Sequence, residues 1–208
     1  AICGQVPSEE IGSDYFQDVN NDQLFSDVAV LARTVTSPAQ MPYLLWQAVD
    51  PAMARRGVAV LSSPGNIGAA ELRKGPVPNF IDVEQPTAAH PDALRAAADA
   101  LNASYKVTML VGMGARGAKD EVLATAERLA APMVLTLKAK EMLEDGNDFQ
   151  VGQAGLIGNP GAQHALEACQ TLLMVGTDFP YRDSYPQGKT VIQIDSRGEH
   201  IGRRTAVD

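Results

Sequence analysis

The sequence predicts an α/β fold with a parallel sheet, on three observations. Short, largely apolar runs recur in the second half of the chain: VTMLV at 107–111, PMVLTL at 132–137, TLLMV at 171–175 and TVIQI at 190–194. Runs of this length without alternation are strands buried on both faces, as in a parallel sheet covered by helices. Helical segments stand between several of them, which is the alternation that βαβ units require. The third observation is a glycine loop that follows VTMLV directly. Gly112, Gly114 and Gly117 have the G-x-G-x-x-G spacing and lead to a helix predicted to begin near Ala118. Glycines there permit a tight turn and close backbone approach, and the helix start offers free N–H groups to an anion. The predicted architecture is a Rossmann-like central domain with helices on both faces, preceded by part of a second α/β domain.

Taken in order, residues 1–68 read as the closing part of the first domain. Ala1-Ile2-Cys3-Gly4 reads as a strand, and Leu24, Phe25, Val28 and Leu31 recur at helical spacing, predicting a helix over 22–32 and a short strand over 33–36. Ser37-Pro38 is a helix-start signal, a capping hydroxyl followed by proline at the first helical position. Met41, Leu44, Leu45, Ala48 and Val49 continue at helical spacing, with Trp46 on that helix as a packing residue. Gly57 ends the helical region, and residues 58–62 form a buried strand stopped by Pro64-Gly65. Residues 69–91 carry Pro76, Pro78, Pro86 and Pro91 with little periodicity and read as a linker. The second domain, 92–208, opens with an alanine-rich helix from near Asp92 through Ala103, then the glycine-loop strand, a helix through Ala131, and a strand near Val134. A start without methionine and a stop at Asp208 soon after a strand are expected of a piece of a longer protein.

Composition narrows the function classes. A chain of 208 residues with 45% apolar content can bury a sizeable core. The net charge of -8, with no basic run of five residues, argues against a nucleic-acid surface. No apolar stretch approaches the roughly 20 residues that span a bilayer, and no signal-peptide pattern opens the chain, so a cytoplasmic location is expected. Cys3 and Cys169 are far apart and lack a C-x-x-C, which points to reduced thiols. His90, His164 and His200 have no partners at metal-ligand spacing. Neither a catalytic residue nor a metal ligand is assigned within this chain.

A standard NAD site would place an acidic residue about 20 positions after the glycine loop. The second strand instead runs into Thr136, Leu137, Lys138, Ala139 and Lys140, so a nucleotide site must draw on several strand ends. Those ends carry Gly112-Met113-Gly114, Thr136-Leu137, Gly176-Thr177-Asp178-Phe179-Pro180 and Asp195. Between them VGQAGLIGNPG, residues 151–161, lets the backbone pass close to a flat or extended ligand. Asp195 suits a ribose hydroxyl or an adenine-side contact. Each feature alone is also what an ordinary strand-end turn presents; in combination they favour a long dinucleotide.

Ordered blocks along the chain carry a family resemblance: Tyr15-Phe16-Gln17, Pro64-Gly65-Asn66-Ile67, Gly155-Leu156-Ile157-Gly158, Gly176-Thr177-Asp178-Phe179-Pro180-Tyr181, Gln193-Ile194-Asp195 and Ile201-Gly202-Arg203-Arg204. On these the chain resembles the thiamine-diphosphate-dependent pyruvate oxidase family, nearest its quinone-reducing pyruvate dehydrogenases. The resemblance implies that 1–68 is the end of a pyrimidine-binding domain and 92–208 most of a central FAD-binding domain. It implies FAD contacts at Gly112, Met113 and Gly114; Thr136 and Leu137; Gln153, Ala154, Gly155 and Leu156; Gly176, Thr177, Asp178, Phe179 and Pro180; and Ile194 with Asp195. Backbone amides around Gly112 to Gly114 and Gly176 to Asp178 would be the polar contacts, and Asp195 would anchor the adenosine half.

For the intact protein the resemblance implies decarboxylation of pyruvate on thiamine diphosphate and Mg2+, with electrons passing through FAD to a quinone, in a homo-oligomer, a tetramer in the family, peripheral at the inner face of the cell membrane. The activating glutamate and the Gly-Asp-Gly metal and diphosphate motif belong to parts of the family outside this sequence. Glu144-Asp145-Gly146-Asn147 lacks the leading glycine and the spacing, so this chain alone is expected to be inactive. Two further readings stay open: an acetolactate synthase-like carboligase or decarboxylase with structural or no FAD, and a non-catalytic nucleotide-binding or assembly module.

Overall fold

The computed structural model describes residues 1–72 and 88–208. These fall into two compact units, drawn from Ala1–Glu84 and Gln85–Asp208. Pro76, Pro78 and Pro86 of the expected linker lie outside the described residues.

The first unit contains β1 (Ile2–Gln5), α1 (Asn21–Leu24), β2 (Ala29–Thr34), α2 (Met41–Ala54), β3 (Val58–Pro64) and α3 (Gly65–Gly68). Its three strands are parallel in the order β1-β3-β2. The central strand is the most buried, and α2 lays Met41, Leu44, Ala48 and Ala52 over Ala59 and Leu61. A turn of 3-10 helix, Pro38–Gln40, precedes α2, and the Ser37 hydroxyl makes no cap. Trp46, expected to pack, is 40% exposed and contributes nothing to this core.

The helix expected over 22–32 is not formed. Asn20 caps α1 by accepting from the Gln23 N–H at 3.0 Å, but the helix stops after Leu24 and β2 starts at Ala29. The spacing of Leu24, Phe25, Val28 and Leu31 is helical, but from Ala29 onward the chain pairs with β3, and this tertiary pairing overrides the local period. Asp22 then fastens α1 to the end of β2, its carboxylate accepting from the Thr34 N–H at 3.1 Å and hydroxyl at 3.0 Å.

The second unit contains α4 (Pro91–Asn102), β4 (Val107–Val111), α5 (Lys119–Leu129), β5 (Met133–Leu135), α6 (Lys140–Leu143), β6 (Gln150–Gln153), α7 (Pro160–Ala168), β7 (Thr171–Val175) and β8 (Thr190–Ile194). All five strands are parallel, in the order β6-β5-β4-β7-β8. Alternate residues of β4 serve opposite faces. Met109 and Val111 join Met133, Leu135 and Leu173 under α4, α5 and α6, through Ala97, Val122, Ala126 and Leu143. Leu110 joins Val134, Leu172, Met174 and Val191 under α7, through Ala162 and Leu166. The sheet is therefore covered on both faces, and the Thr108 hydroxyl donates to the Ala165 carbonyl at 2.8 Å, tying β4 to α7.

Strand β6 is not among the strands that the apolar runs predict, because QVGQ offers no such run. It forms as an edge strand on β5, with a register shift between Met133 and Val134. The chain runs outward from β4 through β5 to β6, then returns to the other side of β4 for β7 and β8. This reversal makes the carboxyl ends of β4 and β7 a topological switch point, the place where open α/β sheets bind ligands.

Candidate cofactor site

At the switch point the loops after β4 and β7 interlock backbone to backbone. The Gly112 N–H donates to the Val175 carbonyl at 2.9 Å, the Gly114 N–H to the Gly176 carbonyl at 2.8 Å, and the Gly176 N–H to the Ile194 carbonyl at 2.8 Å. A Cβ at Gly112 would lie 2.5 Å from the Gly176 oxygen, and one at Gly114 2.8 Å from the Gly176 Cα. These glycines are required by packing between loops. The amides of Gly112, Gly114 and Gly176, expected as polar contacts to a ligand, are already used; those of Met113, Thr177 and Asp178 donate to nothing among the described residues. The loop also does not open directly into a helix. A 3-10 turn, Met113–Ala115, intervenes, and α5 begins at Lys119 with Asp120 and Glu121 in its first turn, where they offset the dipole and repel a phosphate.

The other strand ends differ in character. Thr136 is half-buried, whereas Leu137 after β5, Leu156 after β6 and Ile194 at the end of β8 are exposed apolar side chains. Gln153, Ala154 and Gly155 line a concavity of about 250 Å3 together with Gly158, Asn159 and Gln163. The Gln153 Nε2 is buried without a hydrogen-bond partner, an unmade bond that costs about 1–3 kcal/mol until something accepts it.

Asp195 is held by its own turn. Oδ1 accepts from the Arg197 N–H at 2.9 Å, and Oδ2 lies 3.4 Å from His200 Nδ1, with the carboxylate side chain 7% exposed. Gln193, which the sequence reading left without a role, joins the two sides: its Nε2 donates to the carbonyls of Thr177 and His200, both at 3.2 Å, and its Oε1 accepts from the Gly202 N–H at 3.0 Å. Asp178 takes both arginines of the 201–204 block. Its Oδ1 accepts from Arg203 Nε at 3.1 Å and Arg204 Nε at 2.8 Å, and its Oδ2 from the Nη2 of each. Paired arginines were visible in the sequence, but their meeting on one carboxylate 25 positions earlier was not.

Phe179 is spent on the core. It meets Tyr181 and Tyr185 edge-on, with centroids 5.2 Å and 6.1 Å away, and its carbonyl accepts from the Tyr185 hydroxyl at 2.6 Å. Burial pushes the Tyr185 phenol up to about 12, partly opposed by the Arg204 charge. The phenol is an acid whose folded pKa exceeds its unfolded value of about 10, so stability is full below about pH 10 and is lost as pH rises to about 12. Alkaline denaturation of Tyr185→Phe should lack this limb, about 2–3 kcal/mol in the parent, while at pH 7 the variant loses about 1 kcal/mol with the hydrogen bond. An unchanged alkaline limb would assign it to other groups.

Among the described residues no group of three His, Cys, Asp or Glu is placed to hold a metal ion. The arrangement consists of a switch point, exposed apolar strand ends, a partnerless amide and a basic cluster. It defines a parallel α/β domain with a candidate ligand site across its strand ends. The chain belongs to the thiamine pyrophosphate enzyme family, residues 94–208 matching the description of its central domain. The whole chain is 40% identical to YdaP of Bacillus subtilis, named as a thiamine pyrophosphate-containing protein, and covers 36% of it. It is 26% identical to an acetolactate synthase of Arthrospira platensis and 25% identical to a pyruvate oxidase of Lactiplantibacillus plantarum, again over its whole length, covering 38% and 36% of those proteins. The chain thus spans little more than a third of the length of these relatives.

Proposed function

We propose that this chain is the FAD-binding central portion of a thiamine-diphosphate-dependent pyruvate oxidoreductase, preceded in residues 1–68 by the end of a pyrimidine-binding domain. The observation that carries the reading is the Gln153 Nε2, buried and unpartnered beside a concavity at the carboxyl end of β6. A flavin's carbonyl and ribityl oxygens are acceptors of the kind it lacks. The residues present fit such a group: Gln153 would donate to it, the exposed Leu137, Leu156 and Ile194 offer apolar area to a flat ring, and Asp195 stands at the end of β8 for a ribose hydroxyl. Free amides at Met113, Thr177 and Asp178 would supply the backbone contacts. Bound FAD supplies electron acceptance, and the chain's part is to hold and orient it.

In this reading the intact protein decarboxylates pyruvate with thiamine diphosphate and Mg2+ and delivers electrons to a quinone, as a homo-oligomer in the cytoplasm or at the inner face of the membrane. No helix among the described residues is long and apolar enough to cross a membrane. An acetolactate synthase-like carboligase with structural or no FAD is the second reading, favoured by a relative of that name at 26% identity against 25% for the pyruvate oxidase.

The test is a visible spectrum of the gently purified full-length protein, repeated anaerobically after pyruvate, thiamine diphosphate and Mg2+. A flavin band that bleaches supports the oxidoreductase, a band that stays oxidised favours the carboligase, and no flavin even after adding FAD removes the proposed site. Asp195→Ala should weaken FAD binding about tenfold or more, the worth of a charge-assisted hydrogen bond, while costing the fold about 1 kcal/mol through the Arg197 turn. Unchanged FAD affinity in fluorescence titrations would remove Asp195 from the site.

A further inference from the structure

An adenine dinucleotide brings a diphosphate with two negative charges, and the expected means of meeting them are already committed in this fold. The amides of Gly112 and Gly114 serve the loop after β7, and the first turn of α5 carries Asp120 and Glu121. The amides left free, those of Met113, Thr177 and Asp178, carry no formal charge, so a charged partner has to come from side chains, and one cluster at the same strand ends supplies it. Asp178 stands two residues beyond Gly176 and is 14% exposed, and both of its oxygens accept from both guanidinium groups. Two arginines on one carboxylate leave a positive charge uncompensated, and each guanidinium keeps most of its five donors. The Arg203 side chain is 45% exposed and that of Arg204 30%, so free donors reach solvent.

The arginines are held in place over the strand ends. Gly202, next to Arg203, donates to Gln193, whose amide in turn donates to the Thr177 carbonyl at the end of β7. At the other end of the segment, Asp208 pairs with Val191 of β8, donating to its carbonyl at 2.9 Å and accepting from its N–H at 2.9 Å. A cation whose rotamer is already fixed loses less entropy on meeting an anion than an unrestrained one such as the exposed Lys138 after β5.

We propose that Arg203 and Arg204, fixed by Asp178, form an anion subsite that takes the diphosphate of an adenine dinucleotide. The subsite rests on the nucleotide-binding reading above, and its test separates the two. ADP and adenosine are titrated calorimetrically into flavin-stripped full-length protein and into Arg203→Gln and Arg204→Gln. The parent should bind ADP more tightly than adenosine, with an affinity that falls as salt is raised. Each substitution should remove about tenfold of the ADP affinity, leave adenosine unchanged and flatten the salt dependence. Should Arg204→Gln unfold, Arg203→Lys serves, since it keeps the charge but loses the fork and should give an intermediate loss. An ADP-over-adenosine preference that survives these substitutions, or is missing from the parent, overturns the subsite. FAD binding indifferent to both arginines would keep the flavin reading while overturning the subsite; arginine-dependent ADP binding without FAD binding would do the reverse.

Discussion

Gly176→Val is expected to cost the second unit about 4–6 kcal/mol, a large part of the 5–15 kcal/mol that holds a typical domain. Two terms add. Gly176 has φ +58°, in the left-handed region that a β-branched residue enters at a cost of about 1–3 kcal/mol. Its new Cβ would also fall on the Ala115 nitrogen and the backbone of Gly114, atoms that cannot swing aside, which places the packing penalty at about 3 kcal/mol. Relief requires the loops after β4 and β7 to separate, breaking the Gly114 to Gly176 hydrogen bond and opening the switch point. Gly198→Ala is the control, because nothing lies within 4 Å of a Cβ there and its φ is ordinary. Urea denaturation followed by far-ultraviolet circular dichroism measures both. A Gly176→Val protein as stable as the control would show that the loops do not interlock.

The same junction shows how far the sequence could be read. VTMLV, TLLMV and TVIQI became β4, β7 and β8 with the anticipated bounds, because strands of a covered sheet need largely apolar runs; even β8, at the edge, buries Val191 and Ile192. Gly112 and Gly114 were legible as close-approach glycines, but not what approaches them. The spacing suits a phosphate and a neighbouring loop equally, and only the fold puts Gly176 there. β6 was hidden because an edge strand takes its stability from the partner it joins, here β5, and can be written in Gln and Gly. The run from Leu24 to Leu31 misled because its helical spacing was overridden by pairing with β3, a long-range contact that the local pattern does not show.

The candidate site divides along the same line. Asp195 could be named as a candidate from its place at a strand end, whereas Gln153 was reached only through the family resemblance, because β6 itself was hidden. Roles that are long-range pairings could not be read from place: Asp178 meets Arg203 and Arg204 across 25 and 26 positions, and Gln193 reaches Thr177 across 16. Hydrogen bonds of that separation leave no periodic trace, so the blocks containing them were recognisable as a resemblance before their physical purpose was.

The edge that was hardest to read carries the second large effect. Gly152→Ala should destabilise the unit by about 3–4 kcal/mol although it adds a single methyl group. Gly152 lies at φ +128°, open only to glycine, where an alanine is strained by about 2–3 kcal/mol. Its Cβ would stand inside the carboxamide of Asn159, which caps α7 by accepting from the Ala162 N–H at 3.1 Å and also donates to the Val151 carbonyl at 3.4 Å. Driving Asn159 out adds the loss of a helix cap, about 1 kcal/mol. This predicts coupling: in an Asn159→Ala background the obstacle is already gone, so Gly152→Ala should cost only its backbone strain. The double-mutant cycle, read from urea midpoints, should show at least about 1 kcal/mol of non-additivity. Additive penalties would mean that Asn159 does not sit over Gly152, and that the turn leading from β6 to α7, with Gln153 at its start, is held in some other way.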